Sequence, residues 1–447
     1  MADTIFAPAT APGRSAIAVV RLSGPSCADV CRCLTKRPLP APRRAALRRL
    51  HDPASGQALD QGLVLWFPGP ASETGEDVLE LQVHGGRAVM AGLLMALADL
   101  PGLRPADPGE FSRRAFLNGR LDLTAAEGLA DLVAAETGAQ ARQALRQLDG
   151  ELGRLYERWR SELLAALARL EAEIDFSADE DVPGDMVSAV RPVLGTVSAE
   201  IAAHVDDARR GERLRAGLTI AVIGPPNAGK SSLINRLAQR DVAIVTPEPG
   251  TTRDVLEVHL DLAGYPVTLL DTAGLREPEG GAEAEGVRRA RARAAEADLR
   301  LALLDGALWP AQDAATLALI DEGTVVAVNK ADLGRLEGDL VVAGRSATRL
   351  SCRTGAGLDR LLEMLGARAA AQMAVGEAPL LTRARHRAAL QSAQEALGRI
   401  AALPSDAELA LIAEDLRLAL RAIGRITGRV GVEDLLDMIF NEFCIGK

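Results

Sequence analysis

The chain has 447 residues, 48% of them hydrophobic, enough to bury full cores and to form roughly three domains of ordinary size. A formal net charge of -10 excludes a protein that coats nucleic acid through general electrostatics, while a docked, local RNA contact stays open. Aromatics at 3% leave few platforms for stacked bases, and five cysteines without paired spacing exclude a disulfide framework.

A reducing compartment follows, and the cytoplasm fits. No stretch reaches the ~18 apolar residues of a membrane span, so a soluble protein without membrane association is expected. Cys27, Cys31 and Cys33 lie close together, but no His or second Cys pair follows at zinc-site spacing; they read as helix-packed thiols. The arginines at 43, 44, 48 and 49, and at 288, 289, 291 and 293, read as solvated faces.

Residues 1–118 alternate short apolar runs (Ile17 to Leu22, Gly62 to Phe67, Val78 to Val83) with Gly/Pro turns, which predicts a small α+β domain. Residues 119–215 change texture. Thr124-x-x-Glu127 has the capping-box pattern, and Leu145, Leu148, Leu152, Leu155, Trp159, Leu163, Leu167, Leu170 and Ile174 predict one long helix, packed in a bundle. Across 216–375 the runs Leu218 to Ile223, Val267 to Leu270, Leu299 to Leu304 and Thr324 to Val328 alternate with helical stretches, the pattern of a mostly parallel sheet covered on both faces. Residues 376–447 return to helical periodicity, with a second capping-box pattern at Ser405-x-x-Glu408. The expectation is a helical domain split in sequence by an inserted α/β unit.

Gly224-Pro225-Pro226-Asn227-Ala228-Gly229-Lys230-Ser231 fits G-x-x-x-x-G-K-[ST], directly after a strand and before a helix. Glycines let backbone N–H groups face phosphate oxygens, the helix adds its positive end, Lys230 reaches the β/γ-phosphates and Ser231 can ligate Mg²⁺. Asp271-Thr272-Ala273-Gly274 ends the strand Val267 to Leu270, where a carboxylate faces the metal and Gly274 the γ-phosphate. Between them, Gly250-Thr251-Thr252-Arg253-Asp254 offers Thr252 as a second Mg²⁺ hydroxyl. Asn329-Lys330-Ala331-Asp332 follows another strand; Asp332 can accept from the N1–H and amino group of guanine, which adenine cannot offer, so GTP is selected over ATP. Ser351-Cys352-Arg353 completes the base edge. The expected nucleotide contacts also take in Ser232 and Thr246. Each motif alone has a plainer alternative, a turn or a cap; four in order point to a P-loop GTPase of Ras-like fold. Leu275 cannot orient a water, so that task falls to a downstream acid among Glu277, Glu279, Glu283 and Glu285.

With Asp3-Thr4-Ile5, Pro12-Gly13-Arg14, Thr74-Gly75-Glu76-Asp77, Pro108-Gly109-Glu110-Phe111 and Phe443-Cys444-Ile445-Gly446-Lys447 added to these motifs, the chain resembles the MnmE (TrmE) family of tRNA-modification GTPases over its whole length. The resemblance implies homodimerisation and a K⁺ ion in the place of an arginine finger, held by the Asn227 side chain and the backbone oxygens of Thr246, Glu248 and Thr251. It implies Glu283 as the residue orienting the attacking water, with Glu285 close by as the other choice. It gives the first domain a tetrahydrofolate-binding fold holding a 5-formyl- or methylene-tetrahydrofolate donor at Arg21, Glu80, Arg120 and Lys447. Cys444 matches a cysteine tied to the modification chemistry, a free tail thiol being the plain alternative. The family acts on the wobble uridine of tRNA, installing an aminomethyl-type group at C5, with an FAD-dependent partner, MnmG, in a heterotetramer or larger complex. No G-x-G-x-x-G follows a strand in the first domain, so FAD comes only through the partner. Arg120 stands where Lys is common, Pro225 where Arg is frequent, and Glu248 where an apolar residue is typical. Two other readings compete: a ribosome- or complex-assembly GTPase, which needs neither Cys444 nor the folate set, and a folate-binding protein with a decayed G domain, which the complete motif set opposes.

Overall fold

The computed structural model describes residues 3–176, 186–207, 209–240, 242–244, 257–271, 296–374, 376, 378–404, 408–431, 433–441, 443 and 446. The chain divides into two compact units, one of Met1–Ala130, Gln147–Val197 and Glu395–Lys447, the other of Asp131–Arg146 and Ser198–Gln394.

The first unit opens with a six-stranded sheet formed by β1 (Thr4–Pro8), β2 (Ser15–Ser23), β3 (Ala46–His51), β4 (Ala58–Phe67), β5 (Val78–Gly85) and β6 (Leu103–Pro105) in the order β3-β4-β5-β2-β1-β6. All pairings are antiparallel except β1 with β6. Alternation decides the faces. Val20, Leu22, Leu79 and Leu81 point to one side, where helices Cys27–Thr35 and Arg87–Ala98 cover them, so Cys27 and Cys31 are core thiols as expected, whereas Cys33 of the same helix is exposed instead of packed. Arg21 and Glu80, directly opposed in register, belong to the other side.

The helical part of this unit includes Glu151–Phe176, Leu409–Thr427 and Glu433–Asn441. Three expectations are corrected here. The stripe from Leu145 to Ile174 is two helices, Gly138–Leu148 and Glu151–Phe176, because Gly150 adopts a left-handed φ of +80° that ends the first. Apolar spacing continues through that break, which hides it from periodicity. Helix Leu123–Ala134 is capped by Asp122, whose carboxylate accepts from the Ala125 N–H at 2.8 Å and the Thr124 hydroxyl at 2.6 Å, rather than by Thr124. Helix Leu409–Thr427 begins after Glu408, which occupies the N-cap with no side-chain capping bond; Ser405 lies outside the described residues.

The second unit is a seven-stranded sheet of β7 (Leu218–Ile223), β8 (Glu257–Leu262), β9 (Tyr265–Asp271), β10 (Leu299–Asp305), β11 (Val325–Asn329), β12 (Val341–Val342) and β13 (Arg345–Arg349), ordered β12-β13-β11-β10-β7-β9-β8. The five central strands are parallel and the two edge strands antiparallel. Strand β10 is buried on both sides: Leu301 and Leu303 join the core under helices Lys230–Ala238 and Leu358–Met373, Ala302 and Leu304 the opposite one. That is why it reads as a continuous apolar run instead of an alternating one. These two units carry the α+β, helical and inserted α/β P-loop architecture expected from sequence.

The segments leading into and out of the α/β sheet are stapled. Asp131 Oδ1 accepts from Arg215 Nε and from Arg383 Nη2, each at 2.8 Å. Arg387 donates to Asp207 at 2.7 Å, to Glu212 at 2.9 Å and to the Val205 carbonyl. Among the described residues, no helix is long and apolar enough to cross a membrane.

Candidate functional site: a phosphate loop beside a base pocket

The loop after β7 is shaped by contacts that exclude side chains. Gly224 has φ +151°, and a Cβ there would strike the Leu303 carbonyl; Gly229 has φ +100°, and a Cβ would strike the Asn329 side chain. Asn227 also takes a left-handed φ, +64°. Helix Lys230–Ala238 starts at Gly229, so its free N–H groups and positive end open into the loop. Lys230, buried, donates from Nζ to the carbonyls of Gly224 at 2.7 Å and Pro225 at 2.9 Å, which sets the ammonium across the loop.

Ser231 donates from Oγ to Asp271 Oδ2 at 2.6 Å. A hydroxyl and a carboxylate this close, at the ends of a helix and of β9, form a pair of hard oxygen donors that suits Mg²⁺. Asn329 joins three segments: its Nδ2 donates to the Ala228 carbonyl at 2.8 Å, and its Oδ1 accepts from the Cys352 N–H at 3.0 Å. The Ser351 hydroxyl donates to Asp332 Oδ1 at 2.6 Å; with the Arg353 guanidinium 3.7 Å from Oδ2, it holds the Asp332 carboxyl below the usual carboxylate range. Burial pushes the Cys352 thiol up to about 11, so the pocket wall there is a neutral S–H. The result is a cavity of about 440 Å³ lined by Asn227, Gly229, Ser232, Asn329, Lys330, Asp332, Leu333, Cys352 and Arg353. The phosphate loop and the segment Asn329 to Asp332 therefore share one concavity at the carboxyl edge of the parallel strands.

In the first unit, Arg21 donates to Glu80 Oε1 from Nε at 3.1 Å and from Nη2 at 2.9 Å, and pairs with Glu73 at 2.6 Å. Arg120 is exposed, with its side chain against Gly75, so the loop Glu73 to Gly75 connects it to Arg21. Behind that loop Arg114, 12% exposed, meets Asp3 at 2.7 Å, Glu76 at 3.0 Å and Glu110 at 3.0 Å. Burial alone would raise Glu110, but Arg104, the Asp107 N–H and Arg114 hold it below its ordinary value.

Residues 4–120 match the family described as "GTP-binding protein TrmE N-terminus", and residues 123–444 match "MnmE helical domain". Over 446 residues the chain is 56% identical to the tRNA modification GTPase MnmE of Parvibaculum lavamentivorans, covering all of both chains. It is 56% identical to the protein of that name from Paramagnetospirillum magneticum, again over the whole of both. With human 5-taurinomethyluridine-[tRNA] synthase subunit GTPB3, mitochondrial, it shares 50% identity, over 99% of this chain and 93% of that one.

The chain belongs to the MnmE family.

Of the family positions expected from sequence, the structure brings Asn227, Ala228, Gly229, Lys230, Ser231, Ser232 and Asp271 to one end of the α/β site, and Asn329, Lys330, Asp332, Ser351, Cys352 and Arg353 to the other. Thr246, Glu248, Thr251, Thr252, Thr272, Ala273, Gly274, Glu283, Glu285, Cys444 and Lys447 lie outside the described residues. Sequence reasoning missed two residues. Asp305, whose Oδ2 accepts from Lys330 Nζ at 2.6 Å, was visible only as an acid closing an apolar strand. Arg114 had no signal beyond belonging to the stretch after Glu110, although it gathers the carboxylates of three sequence motifs.

Proposed function

We propose that this chain is a K⁺-dependent GTPase that, with an FAD-dependent MnmG-type partner and a folate one-carbon donor, modifies C5 of the wobble uridine of tRNA. One observation carries the reading: Asn227, Gly229 and Ser232 of the phosphate loop and its helix line one cavity with Asp332, and Lys230 and the Ser231–Asp271 pair sit at the start of that same helix.

Lys230 and the amides at the start of its helix bind β- and γ-phosphate oxygens. Ser231 and Asp271, with Thr252 from the intervening loop, hold Mg²⁺, and Asn227 contributes the side-chain ligand of a K⁺ site completed by carbonyls of Thr246, Glu248 and Thr251. Bound there, these cations offset negative charge that grows on the phosphoryl group as the bond to the β-phosphate breaks. Glu283 orients the attacking water, and Asp332 selects guanine. Residues 216–375 serve as the G domain, 119–215 and 376–447 as the helical domain, and 1–118 as a folate-binding domain using Arg21, Glu80, Arg120 and Lys447. Cys444 stands near the modification chemistry. The working form is a homodimer in the cytoplasm, and hydrolysis drives a conformational cycle of the modifying complex.

The test has two arms. GTP turnover in K⁺ should exceed that in Na⁺ at equal ionic strength; equal rates would remove the K⁺ site. Nucleoside mass spectrometry of tRNA from cells lacking the protein should show wobble uridine without its C5 group; a normal profile would favour a complex-assembly GTPase.

A further inference from the structure

The carboxyl end of β10 is gripped from both sides. Gly224 of the phosphate loop leaves no room for a Cβ against Leu303, and Gly306 leaves none against the Asn329 carbonyl. Asp305, in register with Asn329, therefore leaves the sheet at a fixed point. Its carboxylate is divided: Oδ1 accepts from the Ala307 N–H at 2.9 Å, and Oδ2 accepts from Lys330 Nζ at 2.6 Å. Asp305 is only 7% exposed while the Lys330 side chain is a third exposed, so the carboxylate is the buried partner of the pair. Lys330 lies at φ +64°, a conformation that a side chain disfavours, and it lines the cavity, which Asp305 does not.

We propose that Asp305 is a positioning residue for the base pocket. By fixing the Lys330 ammonium outside the cavity, it turns the apolar stem of Lys330 into a rigid wall for the flat face of the base, and it supports the unfavourable backbone of Lys330. Asp305 touches no nucleotide; it acts through Lys330. The inference rests on the cavity taking a guanine nucleotide.

The experiment is a double-mutant cycle on the full chain, read as the Kd of a fluorescent GDP. Asp305→Asn keeps an acceptor for the Ala307 N–H and removes the charge, so it separates the cap from the ion pair. Asp305→Asn should weaken GDP about tenfold, and Lys330→Met at least as much. In the Lys330→Met background, Asp305→Asn should change Kd by less than about twofold, since the pathway is already cut. A wild-type Kd for Asp305→Asn, or an undiminished tenfold effect in the Lys330→Met background, overturns the proposal. If melting curves show Asp305→Asn unfolded, Asp305→Glu, which keeps the charge but misplaces it, enters the same cycle with the same two outcomes. A wild-type chain that binds no GDP would sink the nucleotide reading itself, a result the mutant comparison cannot mimic.

Discussion

The Ser231 hydroxyl and the Asp271 carboxylate meet at 2.6 Å, joining the first turn of the phosphate-loop helix to the last residue of β9. Two hard oxygens positioned by two rigid elements are the metal seat of the proposed function. Ser231→Ala and Asp271→Asn are each expected to lower the single-turnover GTP hydrolysis rate by roughly 10²-fold or more, with a raised Mg²⁺ requirement. Binding of GDP in EDTA should change little. Rates that respond equally at every Mg²⁺ concentration would separate these residues from the metal.

Ser351 holds the Asp332 carboxylate in place, and the proposed function has that carboxylate read guanine. Asp332→Asn should lower GTP affinity by roughly 10²-fold and let xanthine nucleotides bind, because the amide presents a donor where xanthine presents an oxygen. Titration calorimetry with both nucleotides checks this. The sign of the pH effect follows from the lowered Asp332 value: the carboxylate is charged above its unfolded value of about 3.9 and is lost only as pH falls through the lower folded one. Asp332 should therefore contribute no loss of nucleotide affinity between pH 8 and about pH 5.

Removing Arg114 leaves Asp3, Glu76 and Glu110 without their shared cation. Arg114→Met should destabilise the chain by about 3 kcal/mol, read as a lower melting temperature of the first unit. Asp3 and Glu110 are both held below their ordinary values, against the upward pull of burial, by Arg104 and Arg114. Their contribution is complete above the unfolded carboxylate values near 4 and disappears as pH falls through the folded ones. The gap in melting temperature between variant and wild type should narrow in that acid range; a gap constant with pH would show that packing, not charge, is lost.

Gly229→Ala adds a methyl at φ +100° and directs it at the Asn329 amide that fixes Ala228. GDP affinity should fall at least about tenfold, since two walls of the cavity move together. Equilibrium dialysis with labelled GDP gives the answer, and a Kd within twofold of wild type would contradict the geometry.

The place of the candidate site in the fold was largely legible because each of its motifs is contiguous and begins where an apolar strand ends. Lys230 and Asp332 needed no tertiary information to be found. Contacts between distant segments were another matter. Asp305 reaches Lys330 across 25 positions, and Arg114 reaches Asp3 across 111, with nothing local to mark either pair. Periodicity failed at Gly150, where an apolar stripe ran on through a break in the backbone, and pattern matching placed a cap at Thr124 when Asp122 two residues earlier had the better reach to the Ala125 N–H. Short polar side chains at adjacent positions are interchangeable on paper; only φ/ψ decides between them.

Asp131 binds one arginine from the segment entering the α/β sheet and one from the segment leaving it, Arg215 and Arg383. Arg387 adds Asp207 and Glu212 to the same closure, so the sheet region is a loop tied shut at its neck by ion pairs, and the entropy of closing such a loop grows only with the logarithm of its length.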